Sequence, residues 1–462
     1  MYGMNLMGGV GLFSMRHGGG GVASEPAHTL PGGAVADWNA ESLALSDGAA
    51  VTSWTDSVAG INATGRGTTK PTFVANAMGG KPGVRFQPAQ AQDFNAGLPA
   101  ALTAAFGSRE YTVVAVCANI GAAATSIGTV FSSQLSGIDG VLLFADGAKV
   151  GRYLFYRDHN GANKLTVFGY TATAKASGLA PVSASPGPYT REFINGSIVA
   201  CVKGNIPTYK TDGFYIGSLH GNHYANMTML RMMIWDRPLS PAEILQLQYH
   251  LEAHYQQTVA RPNKLVVFDG DSITAGANSY TAHQYNYPNI VAQNLNLPLG
   301  SWTITAVPGT TSQDMTARAS YEVDPIMAVA AKPVINVSFE WYNMSVKGDT
   351  TTGPIRAYAA QQKAAGQAIL IGSSTSDPND AGPGDARSLF NASLDSDHSS
   401  FDAYVPMHNN PKIGINGASA ADANPGPRFY FDGFGIHFTG SASDCGYRQL
   451  ASEFQTTLGG LL

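Results

Sequence analysis

Residues 264–276 read Lys-Leu-Val-Val-Phe-Asp-Gly-Asp-Ser-Ile-Thr-Ala-Gly, an apolar β-type run that stops at a Gly-Asp-Ser turn and opens into a helical stretch. Val266, Val267 and Phe268 suit a strand buried on both faces, which implies a parallel sheet covered by helices. Gly270 permits a sharp turn, so that the Ser272 hydroxyl meets solvent while its N–H faces an incoming oxyanion. The segments 303–307, 334–339 and 368–372 repeat the buried-strand pattern, with helical stretches at 288–295 and 355–365 between them. Such alternation argues for a parallel sheet flanked by helices, with a site at the strands' C-terminal ends. Ser272, Gly309 and Asn343 each follow one of these strands, and 401–405 reads as the last strand and turn.

Near the C terminus, Asp432-Gly433-Phe434-Gly435-Ile436-His437 precedes a helix-like stretch at 447–454. Serine first, acid and histidine last is one order in which a nucleophile, its base and the base's orienter assemble on an α/β sheet. The serine hydroxyl needs an imidazole to take its proton, and the imidazole needs a partner on its other nitrogen. Taken singly, each residue has a plainer reading. Gly-Asp-Ser occurs in ordinary turns, Gly309 follows Pro308 as turn glycines do, Asn343 suits a cap, and His437 suits a core histidine.

Four stretches in order resemble the SGNH (GDSL-like) esterase family over roughly the last 200 residues. Gly270-Asp271-Ser272-Ile273-Thr274 is similar to its first block, and Ala306-Val307-Pro308-Gly309-Thr310 to its second. In the third, Asn343 keeps the amide while Trp341 and Met344 replace the flanking glycine and aspartate. In the last, Phe434 and Gly435 are inserted between Gly433 and Ile436. The resemblance implies a flavodoxin-like α/β hydrolase domain with Ser272 as nucleophile, His437 as base and Asp432 as its orienter. The N–H groups of Ser272 and Gly309 and the amide of Asn343 would form the oxyanion hole. Phe434, looped out between two glycines, would form an apolar wall for the substrate. No metal or cofactor is implied.

From residue 28 to 257 the chain changes character: short strands, such as 111–117, 141–144, 153–156 and 197–202, are separated by Gly, Ser, Asn and Pro. That is the pattern of an antiparallel β-sandwich. Ser53-Trp54-Thr55-Asp56 with Gly80-Lys81-Pro82-Gly83-Val84-Arg85-Phe86, and Phe214-Tyr215-Ile216-Gly217 with Trp235-Asp236-Arg237-Pro238, make this region resemble laminin-G/concanavalin-A-like jelly rolls. A helix closes it. Ser240 is its N-cap, Pro241 its first residue and Glu243 completes a capping box, placing Ile244, Leu247, Leu251 and Tyr255 on a face that packs on the sandwich.

The sequence therefore divides into a Gly/Met-rich segment at 1–27, a sandwich at 28–257, a linker at 258–263 and a hydrolase domain at 264–462. Few contacts are expected to cross the linker, so that 264–462 should fold alone. The length, 462 residues, exceeds what one core supports, and 13% charged residues with 53 glycines suit a loop-rich β protein. A formal net charge of −5 offers no basic footprint for nucleic acid, and no apolar run is long enough to span a membrane. Cys117, Cys201 and Cys445 lack metal-ligand spacing, and the first two suit small core positions. In 1–27 the positive charge follows the apolar part and glycines interrupt it, unlike a signal peptide. It reads as a flexible or attachment segment that an assembly partner could cover, and a homo-oligomer is compatible with the chain.

The expectation is a multidomain serine ester hydrolase that removes O-acyl groups, O-acetyl among them, from a carbohydrate. The carbohydrate part rests on the lectin-like companion alone. The combination suits an extracellular or virion-associated setting: a bacteriophage tail or head-fibre protein, or a secreted bacterial enzyme. Two other readings stay open: a structural or adhesive virion protein with an inactive hydrolase fold, and a glycan-binding lectin.

Overall fold

The computed structural model describes residues 28–120, 129–132, 142–144, 165–173, 189–203, 213–219, 223–276, 285–346, 351–376, 385–415, 418, 429, 437–439 and 445–462. The N-terminal segment 1–27, the strand expected at 153–156, and Asp432 and Phe434 lie outside these residues.

Two antiparallel sheets make the first unit. In the larger, Tyr111–Ala118 lies between Leu165–Thr173 and Met227–Trp235, and Ser197–Lys203 forms one end. The smaller runs from Ser53–Thr55 through Asp93–Asn95 and Tyr215–Ile216 to Leu142–Phe144. Side chains from both sheets meet in one core, where Phe86 of the first stands edge-on to Phe94 of the second at 5.7 Å between ring centroids. Apolar residues of the expected strand 111–117, among them Val113, Val114 and Val116, are buried in this core. Cys117 and Cys201 are buried there as free thiols.

The second unit is a five-stranded sheet whose neighbours all run parallel. Its strands are Leu265–Gly270, Trp302–Ile304, Val334–Phe339, Ala368–Gly372 and Ala403–Val405. Numbered along the chain, their spatial order is 2-1-3-4-5. This is the flavodoxin-like arrangement, whose crevice opens between strands 1 and 3, where the connections diverge to opposite sides. The first and third strands are buried along their whole length, the polar Asp269, Asn336 and Ser338 included.

The helix Pro241–His254 has the expected capping box: Ser240 Oγ accepts the Glu243 N–H at 3.2 Å, and Glu243 Oε2 accepts the Ser240 N–H at 2.9 Å. Its packing differs from the expectation. Ile244, Leu247, Leu251 and Tyr255 do join the sandwich core, which continues without a break onto one face of the parallel sheet, but Ala242, Leu245 and Tyr249 join the core on its other face with Ile326 and Leu265. The helix is thus shared by both units.

The expectation of few contacts across 258–263 is not met. The end strand Ser197–Lys203 of the sandwich lies along Trp302–Ile304, the end strand of the parallel sheet, without a regular ladder between them. Side chains take its place. Ser197 Oγ donates to the Trp302 carbonyl at 2.6 Å and accepts the Gly300 N–H at 2.8 Å, and the Ile198 N–H donates to Thr303 Oγ1 at 3.1 Å. The amides of Asn286 and Asn289 both donate to the Val199 carbonyl, at 2.9 and 3.0 Å. Each unit covers a sheet edge of the other, and an exposed edge is what a β protein must otherwise protect.

Candidate active site

Strand Leu265–Gly270 ends against the backbone of its neighbour. A Cβ at Gly270 would sit 2.2 Å from the Phe339 carbonyl oxygen and 2.6 Å from Thr274 Oγ1, so only glycine fits. Asp271 follows as N-cap of the short helix Ser272–Ala275, its Oδ1 accepting the Ile273 N–H at 2.8 Å. Ser272 is therefore the first helical residue, half-buried, at the C-terminal end of a central strand.

Its hydroxyl meets His437. Ser272 Oγ and His437 Nε2 lie 2.9 Å apart although 165 residues separate them in the chain. The serine O–H donates when Nε2 carries no proton. Gly309 lies between strand Trp302–Ile304 and helix Ser312–Glu322 with φ of +81°, a conformation that glycine adopts without strain. Asn343 lies on the short helix Tyr342–Val346 after strand Val334–Phe339, and its Nδ2 donates to Asp271 Oδ2 at 3.1 Å. Asn343 and His437 thus reach Asp271-Ser272, and Thr310, next to Gly309, donates its hydroxyl to the Gly270 carbonyl at 3.1 Å, while Asp432 and Phe434 fall outside the described residues.

Two buried carboxyl groups support this arrangement. Burial pushes Asp271 up to about 6, against the pull of the Ile273 and Thr274 N–H groups and of His437. Glu340 is raised further by burial and then by the Asp271 charge. Its Oε2 accepts from the Ser312 N–H and Oγ at 3.1 and 2.9 Å, and its Oε1 from the Met344 N–H at 3.2 Å. Glu340 thereby ties together the segments that carry Gly309 and Asn343. Sequence reasoning passed over it, although a carboxylate directly after six buried strand residues was a signal in plain view.

Next to Asp271 a pocket opens, lined by Asp271, Ile273, Phe339, Trp341, Tyr342 and the run 374–376; Ser272 and His437 are not among its lining residues. Trp341 stands at 6% exposure against Phe390, and its indole N–H has no acceptor among the described residues. No group of three or more His, Cys, Asp or Glu among the described residues could hold a metal ion. No described helix is long and apolar enough to cross a membrane.

No protein-family model matches the chain, and no curated protein matches it. Among solved structures, the likeness to "Crystal Structure of TesA" has 16% identity and a TM-score of 0.33, covering 43% of this chain and 99% of that one. Domain 4 of AbnA, a GH43 extracellular arabinanase from Geobacillus stearothermophilus, gives 11% and 0.31, covering 47% of this chain and 98% of that one. Trypanosoma rangeli sialidase in complex with a difluorinated nononic acid gives 16% and 0.29, covering 52% of this chain and 36% of that one. With scores this low, the functional reading rests on the site itself.

Proposed function

We propose that the protein is a serine ester hydrolase of the SGNH kind. The observation that carries this reading is the 2.9 Å approach of His437 Nε2 to Ser272 Oγ, at the crevice where a 2-1-3-4-5 sheet binds its ligands. In the proposed reaction His437 takes the hydroxyl proton as Oγ bonds to the acyl carbon. The Ser272 and Gly309 N–H groups and the second Asn343 N–H stabilise the oxyanion. The imidazolium returns the proton to the departing alcohol oxygen as the C–O bond breaks. Water, deprotonated by His437, then releases the acid and frees the serine. The proposed substrate is an O-acyl ester on a carbohydrate, with the sandwich as the part that meets the polymer, and Asp432 is the proposed orienter of His437.

Turnover of a panel of p-nitrophenyl esters tests the reading. Ser272→Ala should abolish hydrolysis and labelling by a fluorophosphonate, and Asn343→Ala should lower kcat by roughly 10²–10³. Full labelling of the Ser272→Ala protein would place the nucleophile elsewhere. A folded protein that turns over no ester would favour an adhesive or lectin-like role.

A further inference from the structure

Arg191 stands on the sandwich strand Tyr189–Ile194, yet its side chain is buried against the α/β unit at 4% exposure. Its Nη2 donates to Glu322 Oε2 at 2.8 Å and to the Thr305 carbonyl at 3.2 Å. The same Glu322 oxygen accepts from Arg318 Nη1 at 3.1 Å, one turn earlier on helix Ser312–Glu322. Arg318 Nη1 also donates to the Thr305 carbonyl at 2.8 Å. Its Nη2 reaches the Asp269 carboxylate and, at 3.4 Å, the Gly270 carbonyl. Asp269 Oδ2 accepts the Tyr358 hydroxyl at 2.5 Å.

Two guanidinium groups and two carboxylates therefore alternate through a buried interior, balanced in charge. Burial raises the Glu322 carboxyl, but Arg191 and Arg318 outweigh it and hold the group below the ordinary carboxylate range. The network ends on functional backbone. Asp269 and Gly270 directly precede Asp271-Ser272, and Thr305 opens the segment that runs to Gly309. Half of the cationic charge that grips these segments comes from the sandwich.

We propose that Arg191 is a positioning residue for the ester hydrolase site: acting through Glu322 and Arg318, it fixes the backbone segments that present Ser272 and Gly309. This rests on the esterase reading above, and it makes the sandwich a working part of the site as well as the part that meets the polymer. The rival is an ion pair that serves folding alone. That pair would change stability and leave the folded enzyme's rate untouched, whereas displacement of a reacting group by about 1 Å costs up to about 10² in rate.

The test uses full-length protein well below its melting temperature. It reads p-nitrophenyl acetate turnover together with amide hydrogen exchange in 269–276 and 305–310. R191M should lower kcat about tenfold or more with KM within about twofold. Exchange in both segments should speed by about tenfold, while that in 111–118 of the sandwich stays unchanged. R191K keeps the charge and should recover most of both. If R191M does not fold, R191M/E322Q, which leaves no unpaired carboxylate, takes its place with the same expectation. Unchanged kcat, or unchanged exchange in both segments of a folded variant, overturns the proposal. If the wild type hydrolyses no ester, the esterase reading fails on its own, and the exchange measurement alone decides whether Arg191 positions the two segments.

Discussion

At the residue scale, the buried carboxyls are the most perturbed groups of the site. Burial, helped by the Asp271 charge, pushes Glu340 up to about 8 from an ordinary value of 4.5. A carboxyl whose pKa is raised in the folded state binds protons more tightly folded than unfolded. Its stabilising contribution is complete below about 4.5 and is lost as pH rises through about 8. Glu340→Gln keeps the neutral form at every pH. Relative to the wild type it should gain stability from pH 5 to pH 9, on top of a pH-independent cost from the amide NH2 that faces one of the Ser312 and Met344 N–H groups. A pH-independent gap in thermal melts would show that Glu340 is ionised throughout. On the ester hydrolase reading, Trp341, on the wall of the pocket, is the residue expected to set acyl size. Trp341→Ala should raise the butyryl-to-acetyl ratio of kcat/KM about tenfold, since each methylene admitted to an apolar pocket is worth about 1–3 kcal/mol. An unchanged ratio would move the acyl group elsewhere. The position of Ser272 at a strand end was legible because a strand buried on both faces announces its own C-terminal end. Arg191 was not. Its partner lies 131 residues away, and nothing in the local pattern of an apolar strand says which distant carboxylate a buried arginine meets.

At the element scale, the strands Val334–Phe339 and Ala368–Gly372 fall where the sequence pattern put them, and the buried Asn336 and Ser338 inside the first do not break it because they hydrogen-bond each other, with Asn336 also donating to Tyr358 and Gln367. The helix Pro241–His254 was equally legible at its start, which is written in Ser240, Pro241 and Glu243. Its second face was misjudged. Ala242, Leu245 and Tyr249 were apolar as well, and a helix apolar on two sides has two neighbours. Because both cores lean on this helix, its cap has more to hold than that of a surface helix. Ser240→Ala should cost about 1–2 kcal/mol, the upper part of the usual range, read from the urea midpoint at constant m. A loss under about 0.3 kcal/mol would show that packing alone sets the helix start.

At the scale of the whole molecule, a short linker had suggested two independent bodies, and the interface argues for one. Linker composition reports only how the chain passes between units, whereas cooperativity depends on what the units bury against each other. Here that is a pair of sheet edges, the ion network from Arg191 to Asp269, and one helix shared by two cores. Residues 264–462 alone would expose the Trp302–Ile304 edge, leave Glu322 without Arg191 and remove the helix that covers Leu265 and Ile326. Uncovered edges and unpaired buried charge are the recognised routes to aggregation and to large losses of stability. The fragment should therefore be insoluble or lack a cooperative melt, and the full chain should unfold in a single calorimetric transition whose van't Hoff and calorimetric enthalpies agree. Two resolved transitions in the intact protein, or a soluble fragment 264–462 that hydrolyses p-nitrophenyl acetate at the full-length rate, would show instead that the sandwich is an appended module and that the polar contacts between the sheet edges hold two finished domains together.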